Sequence, residues 1–152
     1  NLTPPQDFRI GERINTSAGE LEIHSVNTGV PHAVLFVDDA DKAMVSELGH
    51  EIRHHEHYAP AGTNVNFVQL NGDGSIRVRT FERGVGETLA CGTGVSAAGL
   101  ITAKLHGRGS PVRVRVLSGD DLGVAFEQDG DSFAHVQLTG PAEFVYSGQI
   151  EI

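Results

Sequence analysis

A single cysteine, Cys91, stands in a chain of 152 residues, so no disulfide can form within it. Apolar runs are short, and none approaches the length of a membrane span. The first residues lack the basic and apolar layout of a signal peptide. Positive charge is also scarce: 11 Lys and Arg face 20 Asp and Glu, for a formal charge of −9. The electrostatic attraction that drives nucleic-acid binding would be repulsion over most of such a surface. These absences leave small-molecule chemistry or protein contacts, in a cytoplasmic setting of bacterial type. Repeats and low-complexity segments are missing too, and nothing marks a second domain within residues 1–152.

What is present suits a turn-rich globular fold: 39% apolar residues, 20% charged and 19 glycines. ELEIHSVN at 20–27 alternates, with Leu21, Ile23 and Ser25 on one face, and HAVLFV at 32–37 is a short apolar run. Both read as strands. Asp38 and Asp39 can cap a helix, and beyond them Met44, Val45, Leu48 and Ile52 recur at helical spacing, which predicts an amphipathic helix over about 41–54. A loop marked by Pro60 runs from Tyr58 to Gly62. NVNFVQL at 64–70 and SIRVRTF at 75–81 flank NGDG, the clearest hairpin in the chain. Further strands are expected at 111–117, 123–127, 132–138 and 142–146, separated by Gly-containing turns. Between hairpin and strands, Thr93 to Gly107 is small or apolar on nearly every side and closes on Lys, His and Gly, as a buried helix does. The expected class is α+β: an antiparallel-rich sheet or barrel wrapped around one buried central helix, with a second, outer helix.

The stretch richest in chemistry is RTFERGVGETLACGTG, Arg79 to Gly94. Its glycines let the backbone come close to a ligand. Cys91 falls just before the buried helix, where unpaired N–H groups and the positive end of the dipole favour anions. That place should lower a thiol pKa and can seat a carboxylate. Against this stands the plain alternative of a small buried hydrophobe, since free cysteine is among the most buried residue types. On physics alone the two readings balance.

ERGVGETLACGTG closely resembles the second-cysteine motif of diaminopimelate epimerases. Three more segments match in the same order: PHAVLFVDD at 31–39, GTNVNFVQ at 62–69 and GPAEFVYSGQI at 140–150. The resemblance implies an enzyme of two similar domains, each a β-structure around a central helix, with the active site between them. It implies an isomerase of lysine and peptidoglycan precursor biosynthesis that uses no cofactor and interconverts LL- and meso-diaminopimelate. Two cysteines face the substrate α-carbon; one removes the α-proton while the other delivers a proton to the opposite face. By resemblance Cys91 is the second cysteine. Gly92 and Thr93 give their N–H groups to the carboxylate cradle, and Asn64, Glu82 and Arg83 contact substrate. His32 and Glu82 help set the cysteine protonation states. Without the motif, Asn64 reads as a turn residue and His32 as a satisfied core histidine.

The family's glycine-asparagine segment with the first cysteine is absent. Val30 stands where many members have a substrate-contacting Asn, and the nearby Asn27 is a candidate substitute. With this and Asn1 as the first residue, the chain is expected to be the C-terminal half of such an enzyme, inactive without an N-terminal domain. The closing VYSGQIEI would then present a free edge, through which copies can pair as a homodimer. Rival readings are a related two-thiol racemase of the same fold, a cysteine nucleophile attacking an ester or amide, and a non-enzymatic metal module on His50, His54, His55 and His57. His50 and His54 share a helix face at a spacing zinc can bridge; a solvated helix end favoured by the dipole is the plainer account, and no metal is expected.

Overall fold

The computed structural model describes residues 5–88, 91–130 and 132–140. In chain order they form β1 (Gln6–Thr16), β2 (Gly19–Asn27), β3 (Pro31–Phe36), α1 (Val45–Arg53), β4 (Asn64–Leu70), β5 (Ile76–Glu82), β6 (Gly86–Thr88), α2 (Gly92–His106), β7 (Val112–Arg115), β8 (Asp121–Asp129) and β9 (Ser132–Thr139). One sheet runs β1-β2-β3-β4-β5-β7-β8-β9, with β6 paired to β5. Only β3–β4 and β5–β7 are parallel among the described strand pairs. The sheet curls until its two ends meet: the rings of Phe8 on β1 and Phe133 on β9 lie 5.7 Å apart. Around α2 it leaves the ten residues from Gly94 to Ala103 buried. This is the expected α+β arrangement.

The period of two in a strand assigns side chains to faces. Val26, Val34, Val68, Ile76 and Val78 point inward and pack with Val95, Leu100 and Ile101 of α2. Ile23, Ala33, Leu35, Val65, Phe67 and Phe81 point outward, where Val45 and Ile52 of α1 cover them. On the inward face the apolar residues give way at one end of three strands: His32 precedes Val34, Asn64 and Asn66 precede Val68, and Thr80 and Glu82 come after Val78. Because β3 and β4 are parallel and β5 antiparallel to β4, those polar positions converge at the same end of the sheet. The N-terminus of α2 is delivered there too.

Helix α2 stops where its sequence says: Gly107 adopts a left-handed conformation at φ 66° and its N–H bonds to Ala103 O. The hairpin likewise turns at 71–75, with Gly74 at φ 94°. The outer helix differs from the expected 41–54. Asp39 caps only a single 3-10 turn over Ala40–Lys42, Ala43 is extended, and α1 begins at Val45 with no side-chain cap. Arg79 on β5 donates to the carbonyls of Ala40 and Asp41, tying the turn to the sheet, while Ala40 O also accepts the Ala43 N–H and closes the turn at three residues. Met44, expected on the apolar stripe, is 51% exposed. Strand β1 is not foreseen from the sequence, because its alternation is broken by two register shifts and most of its residues are exposed. The strand expected at 142–146 and the closing VYSGQIEI lie outside the described residues.

Candidate active site

Cys91 is the N-cap residue of α2, extended at φ −135° and ψ 111°, and partly buried. Its carbonyl accepts the N–H of Val95, the first bond of the helix. The N–H groups of Gly92, Thr93 and Gly94 precede that bond and have no partner within the helix. Those of Thr93 and Gly94 lie near enough to the Cys91 sulfur to favour its charged form without making a side-chain cap, and the Thr93 hydroxyl lies 3.6 Å from Sγ. The expectation that the helix start lowers the thiol pKa is overturned. Burial pushes the Cys91 thiol up, Glu82 adds to the rise through its charge, and the donors of Thr93 and Gly94 offset it only in part. A thiol taken largely out of water loses more by giving up its hydration than the few donors beside it return.

Beneath the sulfur lies a buried polar chain. Thr93 Oγ1 is 2.9 Å from His32 Nε2, and His32 Nδ1 is 3.0 Å from Asn66 Nδ2. Asn66 Nδ2 also donates to Ala33 O at 3.0 Å, and its Oδ1 accepts from Thr80 Oγ1 at 2.8 Å. His32 and Asn66 are both 0% exposed. Burial holds the His32 pKa down to about 3, helped by the positive charge of Arg83, so the ring is neutral at physiological pH. Gly94 permits this packing, since a Cβ there would stand 2.5 Å from Asn66 Oδ1 and 3.3 Å from Cys91 Sγ.

The rim comes from the ends of the same strands. Asn64 is nearly buried; its Nδ2 donates to Pro31 O at 3.3 Å and its Oδ1 accepts the Arg83 N–H. The Arg83 guanidinium donates to Ala61 O at 3.2 Å. Glu82 is half-buried at the end of β5, close enough for its charge to act on Cys91. Thr28 ties the β2–β3 turn to the helix start by donating to Thr93 O at 2.9 Å. Asn27, the candidate substitute for the family's Asn at position 30, has its carboxamide oxygen engaged by Gly29 N–H. Cys91, His32, Glu82, Arg83, Asn64, Gly92 and Thr93 thus gather at one end of the sheet. Asn66, Thr80 and Thr28 belong with them and were not singled out in the sequence. The signal for Asn66 was there: a carboxamide at an inward position of NVNFV, where the alternation calls for an apolar residue.

The histidine cluster is committed elsewhere. His55 accepts the His57 N–H on Nδ1 and meets Asn15 O with Nε2, while His57 Nε2 pairs with Glu12 at 2.9 Å. His54 meets His50 O with Nδ1 and Arg53 with Nε2. Among the described residues no group of three or more His, Cys, Asp or Glu is arranged to hold a metal ion. No helix among them is long and apolar enough to cross a membrane.

Comparison with known proteins places this arrangement. The family described as diaminopimelate epimerase matches residues 24–145. The chain is 44% identical over 154 aligned positions to a diaminopimelate epimerase of Chlorobaculum tepidum, covering 100% of the chain and 57% of that protein. It is 46% identical to one from a Hydrogenobaculum species, covering 98% and 53%. The chain therefore spans about half the length of the curated relatives it matches. Two solved structures share the fold. A probable proline racemase from Agrobacterium radiobacter superposes with a TM-score of 0.68 at 21% identity, over 91% of this chain and 48% of that one. A hydroxyproline epimerase from Agrobacterium vitis does so with 0.67 at 24% identity, with the same coverage.

Proposed function

The chain belongs to the diaminopimelate epimerase family, and from that premise we propose that it carries one half of a cofactor-independent epimerase site acting on LL- and meso-diaminopimelate. The observation that carries the proposal is the place of Cys91: it caps the α2 N-terminus, with its sulfur in reach of the Thr93 hydroxyl, which in turn meets a neutral, buried His32.

Epimerisation breaks a Cα–H bond on one face of the substrate and makes one on the other. A base opposite Cys91 takes the α-proton; the electron pair left on Cα spreads into the carboxylate; the Cys91 S–H bond breaks and its proton goes to Cα from the other side. The raised pKa of Cys91 suits it to enter as the acid. The α-proton is very weakly acidic, so the charge developing on the carboxylate needs fixed donors in a dry site. The Gly92 and Thr93 N–H groups, at the positive end of α2, supply them. Arg83 suits a second carboxylate and Glu82 an ammonium. Asn64 contributes its remaining amide hydrogen, and its two bonds to Pro31 and Arg83 set the rim.

One chain contains one cysteine, so the opposing base comes from the part of the relatives that this chain does not cover, an N-terminal half joined covalently or docked. The test is exchange of the substrate α-proton with deuterated solvent. The chain with an N-terminal half of the family should catalyse it, and the 152-residue chain alone should not. Exchange by the chain alone, or by the joined protein with Cys91→Ala, overturns the reading.

A further inference from the structure

The buried polar chain under Cys91 has a direction, and one carboxamide sets it. Asn66 Nδ2 is 3.0 Å from Ala33 O. A carbonyl oxygen only accepts, so the atom facing it is the amide nitrogen, and one of its two hydrogens is used there. The other points to His32 Nδ1, 3.0 Å away, which must then accept. A neutral imidazole that accepts at Nδ1 carries its proton on Nε2. Nε2 is 2.9 Å from Thr93 Oγ1, so the hydroxyl oxygen accepts from the ring and its own hydrogen is free for its other partner, Cys91 Sγ, at 3.6 Å.

We propose that Asn66 is a positioning residue for the reaction: by fixing the Nε2–H tautomer of His32, it turns the Thr93 hydroxyl hydrogen onto the Cys91 sulfur. The inference rests on reading Cys91 as an acid/base group. The chain runs one way, from Thr80 hydroxyl to Asn66, to His32, to Thr93, to sulfur, and every member but the last two is buried. A proton on Nδ1 would reverse it, making the Thr93 hydroxyl donate to the ring and leave the sulfur. The direction matters when Cys91 yields its proton, because the new thiolate then receives an O–H donor already aimed at it. The charged and titratable groups facing the sulfur are Glu82, at the end of β5, with Arg83 next to it in the chain and His32 on β3; none of these is altered by the variants below.

The wild-type tautomer is read from two-bond proton–nitrogen correlations of the labelled His32 ring, and the Cys91 thiol, the only one in the chain, from the pH dependence of its alkylation. Expected are an Nε2–H ring in the wild type and a mixture of tautomers in Asn66→Ala, with the thiol pKa up by about 0.3 unit for an even mixture, or about twofold slower alkylation below it. Thr93→Val, which removes the donor outright, should raise it by about one unit, Thr93→Ser little or none, and Asn66→Ala with Thr93→Val no more than Thr93→Val alone. Asn66→Asp conserves volume and replaces the donor by an acceptor, so Nδ1 should become protonated; it decides the matter if Asn66→Ala does not fold. An Nδ1–H ring in the wild type, an unprotonated Nδ1 in Asn66→Asp, an unmoved titration in folded Asn66→Ala, or additive effects in the double variant would each overturn the proposal. These readings need no turnover. If the joined halves exchange no α-proton while the tautomer and titrations behave as stated, only the epimerase reading falls. If exchange is present, its pH profile in Asn66→Ala should move by the same amount as the thiol titration, with KM unchanged.

Discussion

Gly94 and Asn66 are in such close contact that a methyl group on the glycine would stand 2.5 Å from the carboxamide oxygen. The helix carrying Cys91 and the strand under it approach at the point where the polar chain passes between them. Gly94→Ala must push Asn66 out of place or lift the start of α2. Since Asn66 is fully buried, overpacking should cost about 1–3 kcal/mol, measured as a lowered denaturant midpoint. Cys91 alkylation should change in the same variant.

Leu100, in the middle of α2, is fully buried against the inward face of the sheet. Leu100→Ala should destabilise by about 2–5 kcal/mol, as core truncations do when the surroundings cannot collapse. Leu105, 38% exposed on the same helix, is the control; its replacement by Ala should cost well under about 1 kcal/mol in the same titration.

His32 makes stability depend on pH in a window that carboxylates leave alone. Its folded pKa of about 3 lies below the ordinary 6.5, so between those values the unfolded chain binds a proton that the folded chain refuses. Stability should therefore fall as pH drops from 6.5, by about 1.4 kcal/mol per pH unit from this group. His24, whose pKa burial also lowers, acts in the same direction. The carboxylates held low, Glu51, Asp73 and Asp121, add their loss as pH falls through the ordinary carboxylate range and below it. Denaturant titrations of His32→Gln between pH 4.5 and 6.5 should show a flatter slope than wild type; an equal slope removes this account of the ring.

A dicarboxylic amino acid titrated into the chain should shift the amide signals of residues 91–94 before those of His54 to His57. On the proposed reading, binding should be weak and salt-sensitive, because only one half of the site is present to hold the ligand. If the histidines respond first, the carboxylate cradle is misplaced.

The sequence shows some of this more readily than the rest. The buried helix was legible because apolar and small residues fill every side of Thr93–Leu105 and a Gly closes it, and the hairpin because NGDG separates two alternating runs. Strand β1 was not, since it lies at an edge where burial demands little of its residues. Cys91 could be placed at a helix start from its neighbours, yet the sign of its pKa shift could not: it depends first on how far the sulfur is buried, which segments remote in the chain decide. Asn66 escaped for a related reason. Its importance comes from facing His32, and the parallel register that pairs β3 with β4 is not written in either segment alone.

Asn64 spans three strand ends with one side chain, holding Pro31 at the start of β3 and Arg83 just beyond β5. The mouth of the site is thus tethered before anything docks against it. Ordering a loose rim would draw on association free energy at about 0.5–1.5 kcal/mol for each flexible side chain frozen; a rim already fixed demands little of that. On the proposed reading, such a rim can meet the rest of the site as one rigid body meets another, and the fidelity of the pairing then depends on shape more than on induced folding.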